Sequence, residues 1–488
     1  MRRELTALHA ELQNHRNLQP STYALIGDSS RFDYQQLWEG VELRRAVLEA
    51  QVGKVFALVM DNSPEAVLWD LAALFSGLPC VTLPPFFTQA QRVHCFDQSQ
   101  VDIAIADEAM AADMQRAGFY RDGAFWRRAQ SADPGIPAGT AKITYTSGTT
   151  GTPKGVCLSA EALLRVAREL EHASRPAAPE RYLAVLPMAV LLENLGIYAA
   201  LLAGASVTVF SQKQLGIHGA TGVEWRRLLC ALVTSGAQSL ILVPQLLLGL
   251  VTAIERKQLS AGQFRFVAVG GARVSDDLLQ RAAQVGLPVY QGYGLSECAS
   301  VVCLNRPGHD RPGSVGRPLR HVTVRLADDG EVLVNGSALL GYLGERPFSG
   351  DWLPTGDIGK FDADGYLYLL GRKKHQFITS FGRNVNPDWV EAELTQRGTI
   401  AQAFVHGEGL RQNMALLWPL DPDCSDETLA ATVAQANAHL PDYAQVHAWQ
   451  RLPEPFTPDN GLLTSNGRLR REAILSRYRD ALSEPITQ

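Results

Sequence analysis

Apolar and polar positions along the chain fall into alternating blocks of two periods. Helix-like patterning predicts helices over residues 64–76, 160–173, 195–202 and 275–285. Strand-like runs lie between them, over 80–83, 182–186, 206–210 and 264–269. The longest apolar run, 240–254, holds Pro244 and Gln245 and is too short to cross a bilayer, so it is read as a buried strand turning into a buried helix. Alternation of this kind predicts an α/β architecture with largely parallel sheets. Past Gly313 the pattern changes. Strand-like runs 322–326 and 331–334 come close together, with turn signals at Asp328-Asp329-Gly330 and Asp362-Ala363-Asp364-Gly365, and predict a small antiparallel β subdomain. Beyond Gly371 the chain has its own helix signals, over 387–396 and 426–439, enough for a separate α+β domain. The expected division is an N-terminal domain over 1–371, a hinge at 372–374 and a small mobile C-terminal domain over 375–488.

A chain of 488 residues is too long for one core and agrees with this division. Its 46% hydrophobic and 19% charged residues are those of a globular protein. The net charge of −5 argues against nucleic acid as a partner, which favours a basic face. Seven scattered cysteines without a CxxC pair point to reduced thiols rather than disulfides or a zinc site. The first twenty residues are polar and have no apolar signal core. The expectation is a cytoplasmic protein with no transmembrane segment; its oligomeric state is not readable.

The most distinctive segment is Thr144-Tyr145-Thr146-Ser147-Gly148-Thr149-Thr150-Gly151-Thr152-Pro153-Lys154-Gly155. Glycines let a backbone approach an anion and expose its N–H groups, the hydroxyls add short donors, and Lys154 supplies a mobile positive charge. The loop suits a polyphosphate. It is not a Walker A loop, because Lys154 stands between Pro153 and Gly155, and no GxGxxG follows a strand. Farther on, Gly270-Gly271-Ala272 ends a strand with residues small enough for a flat ligand to lie on the backbone. Gln291-Gly292-Tyr293-Gly294-Leu295-Ser296-Glu297 sets an aromatic ring between glycines, a poor core position but a good one for stacking on a base.

These segments, in this order and spacing from about Gly77 to Arg471, resemble the adenylate-forming superfamily of acyl-CoA synthetases, luciferases and peptide-synthetase adenylation domains. The resemblance implies that Thr146, Ser147, Gly148, Thr149, Thr150, Gly151 and Lys154 cradle the phosphates of ATP. It implies that Gly270, Gly271, Ala272, Gln291, Gly292, Tyr293 and Gly294 form the adenine site, with Tyr293 on the ring and Gln291 on its amino edge. Ser296 would meet the α-phosphate and Glu297 would hold Mg²⁺, a role that suits a carboxylate and a hard cation. In Thr355-Gly356-Asp357 and Gly371-Arg372, Asp357 and Arg372 would take the ribose hydroxyls. Lys374 falls at the family's hinge, about which the C-terminal domain rotates between adenylate and thioester formation. Gly382 in Ser380–Asn384 would line the passage for a pantetheine arm.

The stretch 456–471 is similar to the last motif of long-chain acyl-CoA synthetases, with Arg468 where that motif carries a catalytic Lys. Arginine keeps the charge but replaces a compact donor with a planar fork. Val190 stands where relatives carry a His, so with Gly271 and Gly292 it would line an apolar acyl pocket. No Asp is found to hold an amino acid's ammonium group. The resemblance therefore implies an ATP- and Mg²⁺-dependent acid–thiol ligase acting on a fatty or other uncharged acid, an aryl acid included, with Arg468, Lys154 and Glu297 as catalytic groups. The acceptor thiol is coenzyme A or the phosphopantetheine of an acyl carrier protein. A second reading, resting on Arg468 and Val190, is a non-catalytic nucleotide- or acyl-binding homologue. A third, a luciferase-like oxidase, would share the adenylation step.

Overall fold

A computed structural model describes residues 2–51, 55–84, 86–129, 133–146, 153–219, 222–464 and 467–483. Capping chemistry sets many helix starts. Ser63, Ser159, Ser275 and Ser425 each accept a hydrogen bond from a backbone N–H in the first turn of the helix they precede: Pro64–Ser76, Ala160–Ser174, Asp276–Gln284 and Asp426–Asn437. Two further helices, Arg2–Leu18 and Tyr34–Glu49, bury Leu8, Leu12, Leu37 and Val41 against the large core.

Two large sheets make up the N-terminal part. In the nine-stranded sheet, strands Arg181–Leu183, Ser206–Thr208, Ser239–Leu242, Phe266–Val269 and Val289–Tyr293 run parallel. In the eight-stranded sheet, Phe56–Val59, Cys80–Thr82, Ile103–Ala106 and Thr140–Thr146 do so, with antiparallel strands at both edges. A four-stranded antiparallel sheet follows, built on Thr323–Leu326, Glu331–Asn335, Leu353–Phe361 and Leu367–Arg372. Among the described residues, the buried clusters around Phe377, Leu417 and Val446, and around Phe404, Phe456 and Ile474, draw no member from before Phe377. They pack on a three-stranded sheet of their own, Ile400–His406, Asn413–Pro419 and Val446–Arg451.

The helix expected from 195 begins earlier, at Leu191, and runs to Leu202. The reason is that Glu193 and Asn194, polar in sequence, are buried. Glu193 takes a hydrogen bond from the Tyr182 hydroxyl and another from Leu186 N at 2.8 Å, and burial pushes its carboxyl up to about 8. Asn194 belongs to a buried cluster between the layers. Lys142 Nζ donates to Asp70 Oδ1 at 2.6 Å and to Asn194 Oδ1 at 2.7 Å, and Asn194 Nδ2 donates to Asp70 Oδ2 at 2.7 Å. The Tyr198 hydroxyl completes the set on Asp70. Among the described residues no helix is long and apolar enough to cross a membrane.

Candidate active site

The motifs gather where the parallel strands end. Strand Phe266–Val269 leads into Gly270–Ala272, and its neighbour Val289–Tyr293 leads into Gly294–Glu297. The carboxyl ends of parallel strands are where α/β folds bind ligands. Strands Thr140–Thr146 and Lys154–Ser159 pair antiparallel with Thr146 opposite Lys154, so these two phosphate-loop candidates stand side by side at the strand ends. Ser147, Gly148, Thr149, Thr150 and Gly151 lie outside the described residues.

The residues expected around a nucleoside are held in pairs of side chains. Tyr293 is buried, and its hydroxyl donates to Asp357 Oδ2 at 2.7 Å. Arg372 Nε meets the other carboxylate oxygen at 2.8 Å. Burial raises the Asp357 carboxyl above its usual value, and Arg372 opposes that shift. Gln291 is buried, and its Oε1 has no hydrogen-bond partner among the described residues, an acceptor free for an amino edge such as that of adenine. Gly294 lies so close to the chain at Ser300 that a β-carbon there would sit 1.5 Å from Ser300 O. Gly271, at φ +83°, is exposed, and a β-carbon on it would meet only Val243 Cγ1, at 3.7 Å. Gly270 is buried beside the Gly292 carbonyl, whereas Ala272 is exposed. Val190 is half-buried at the head of helix Leu191–Leu202.

Ser296 and Glu297 are half-buried in a short helical turn, Ser296–Cys298. A residue not singled out in the sequence connects Glu297 with Lys154. The Tyr342 hydroxyl donates to Glu297 Oε1 at 3.0 Å, and Lys154 Nζ lies 5.2 Å from the centre of the Tyr342 ring. Lys154 Nζ is also 3.3 Å from Glu345 Oε1. Backbone pairing fixes Tyr342 there, through Tyr342 opposite Val156 and through Leu339 N donating to Glu297 O at 2.7 Å. Glycine and tyrosine at 341–342 gave no sign of this contact, which joins strands far apart in the chain. The donor set fits Mg²⁺–ATP, with a half-buried carboxylate for the cation and a lysine for the phosphates.

From the C-terminal part comes Arg468. It is open to solvent but stands in the cleft, within electrostatic reach of Arg372, Glu297, Asp357 and Asp388. Desolvation in the cleft, then Arg372, lower its pKa, against the pull of the three carboxylates. Lys373 Nζ is held by Asp329 and Glu331, the latter at 2.9 Å, while Lys374 stays exposed. Gly382 sits at the exposed tip of the hairpin formed by Phe377–Ile378 and Asn384–Val385.

Comparison with known proteins gives the same assignment along nearly the whole chain. A family described as AMP-binding enzyme matches residues 12–345, and one described as AMP-binding enzyme C-terminal domain matches 374–485. The long-chain-fatty-acid–CoA ligase FadD15 of Mycobacterium bovis is 27% identical over 421 residues, covering 72% of this chain and 68% of that one. The 2-succinylbenzoate–CoA ligase of Bacillus velezensis is 27% identical, covering 80% of this chain and 83% of the relative. Among solved structures, an anthranilate–CoA ligase with anthranoyl-AMP superposes with a TM-score of 0.78 at 19% identity, over 98% of this chain and 97% of that one. The O-succinylbenzoate–coenzyme A synthetase of Bacillus subtilis, in complex with ATP and magnesium, gives 0.74 at 22% identity, over 95% of this chain and 98% of that one.

Proposed function

Because the chain belongs to the AMP-binding enzyme family, we propose that it is an acid–thiol ligase that forms an acyl-adenylate and passes the acyl group to coenzyme A or a carrier-protein phosphopantetheine. The observation that carries this reading is the pairing of Asp357 with the Tyr293 hydroxyl and with Arg372, beside the contacts that tie Glu297 and Lys154 to Tyr342. Arg468, within electrostatic reach of Glu297 and Asp357, is the cation assigned to the charge that gathers as a carboxylate attacks.

In the first step a carboxylate oxygen of the acid attacks the α-phosphorus of ATP, the bond to the β-phosphate bridge breaks, and pyrophosphate leaves. Tyr293 and Gln291 hold the base, and Asp357 with Arg372 holds the ribose. Lys154 neutralises the outer phosphates, and Arg468 bridges the carboxylate and the α-phosphate. Mg²⁺, held by Glu297, would supply further charge neutralisation on the phosphates. In the second step the thiol sulfur attacks the acyl carbon, its proton passes to solvent and AMP leaves. The C-terminal domain, 375–488, would turn about Lys374 between the two steps and bring Gly382 to the thiol passage. Val190, Gly271 and Gly292 support a fatty or other uncharged acyl chain, since none of them can pair with a charge.

The test is a panel of fatty, aryl and amino acids with ATP and Mg²⁺, offered coenzyme A and a loaded carrier protein in parallel. AMP and pyrophosphate formed with an uncharged acid are expected. Release of ADP, or ATP binding with no turnover on any acid, would exclude the ligase; the second result favours the non-catalytic homologue.

A further inference from the structure

The backbone just beyond Gly270–Ala272 is gripped from across the cleft by one side chain. Helix Pro387–Thr395 ends at Gln396, which is buried. Gln396 Oε1 accepts from Ser275 N at 2.7 Å, and Gln396 Nε2 donates to Arg273 O at 2.7 Å. Ser275 is the N-cap of helix Asp276–Gln284, so the C-terminal end of one helix meets the N-terminal end of another, and their partial charges are opposite. Side-chain charges around the amide run opposite to the helix dipoles and also attract across the seam. Arg397, just past the first helix, lies 3.5 Å from Asp277 in the first turn of the second. The Arg273 guanidinium lies 5.6 Å from the centre of the Trp389 ring.

Each of these contacts joins a residue before 372 to one after 374, and Arg468 is carried on the same side as Gln396. We propose that Gln396 is the positioning residue that seats the C-terminal part over the cleft for adenylate formation, and that its two hydrogen bonds part before the thiol attacks. The inference rests on the ligase reading above. A carboxamide matches a backbone acceptor and a backbone donor two residues apart, and a shift of even an ångström or two breaks both bonds. An apolar contact would slide instead. The amide thus defines one seat for the part of the chain that carries Arg468.

The test compares two half-reactions in the full-length protein, using the acid that supports the fastest pyrophosphate exchange. Gln396→Met keeps the length and removes both hydrogen bonds. Acid-dependent exchange is expected to fall about tenfold, the factor for a buried polar pair left open. Thioester formation from coenzyme A and the chemically prepared acyl-adenylate of the same acid is expected to hold or rise. Gln396→Asn, a methylene too short to reach both groups, carries the same expectation and stands in if the methionine variant does not fold. Exchange at the wild-type rate, or equal loss of both half-reactions, would overturn the proposal. Absence of exchange in the wild type on every acid overturns the ligase reading instead.

Discussion

The Tyr293 hydroxyl donates to Asp357 at 2.7 Å, so the residue expected under the base also holds the residue expected on the ribose. Tyr293→Phe keeps the ring and frees one carboxylate oxygen, which Arg372 on the other oxygen does not replace. A hydrogen bond to a charged group contributes about 1.5–3 kcal/mol, so ATP is expected to bind roughly ten- to a hundredfold more weakly, with the lower end favoured by the remaining ion pair. Calorimetric titration with ATP measures it; an unchanged Kd would show that Asp357 is held without the tyrosine.

Tyr342 separates two roles that meet at one ring. Tyr342→Phe removes the hydroxyl from Glu297 and leaves the face beneath Lys154. It should raise the Mg²⁺ concentration needed for half-maximal exchange severalfold, with ATP binding in EDTA unchanged. Tyr342→Leu removes the ring as well. A cation–π contact of about 0.5–1 kcal/mol implies a further two- to fivefold loss of ATP affinity, visible even in EDTA. Identical behaviour of the two variants would contradict this division.

Arg468→Ala should reduce acid-dependent pyrophosphate exchange by about a hundredfold or more, the usual loss for a donor aimed at developing charge. Thioester formation from preformed acyl-adenylate should persist. Arg468→Lys should recover part of the exchange, since charge is kept and only the fork is lost. Exchange at the wild-type rate in the alanine variant would mean that another cation serves.

Burial, against the pull of Glu169, depresses His321 to about 4. The unfolded chain takes up a proton near the ordinary value of about 6.5 that the folded chain refuses until pH 4. Stability from this group is therefore full above about pH 6.5 and is lost as pH falls toward 4, by about 2–3 kcal/mol. His321→Leu should flatten the fall of melting temperature between pH 7 and 4.5. An equally steep fall in the variant would assign the loss to other groups.

What the sequence made legible is what chemistry demands locally. The helix signals at 387–396 and 426–439 correspond to Pro387–Thr395 and Asp426–Asn437, whereas Tyr293, set between glycines and expected to be a poor core residue, is buried in the core and tied to Asp357. The strand–turn–helix pattern at 240–254 was readable because Pro244 belongs at a helix start. Burial that inverts a residue's usual preference hid the rest. Glu193 and Asn194 look like a solvated break, yet they continue a helix because Tyr182 and Leu186, just before it, satisfy Glu193 and the distant Lys142 satisfies Asn194. Tyr342 and Gln396 stayed silent for the same reason: each acts through a partner more than forty residues away.

The ammonium of Lys142 and the carboxylate of Asp70, sealed with Asn194 and Tyr198 between the two large sheets, work as an alignment key. Apolar layers tolerate small slippage, but displacing these layers by one residue would pull Asn194 and Tyr198 off the buried ion pair and leave its hydrogen bonds open where water cannot reach them. The two halves of the N-terminal part thus have a single permitted registry, and the strand ends that frame the cleft inherit their spacing from a contact that no substrate touches.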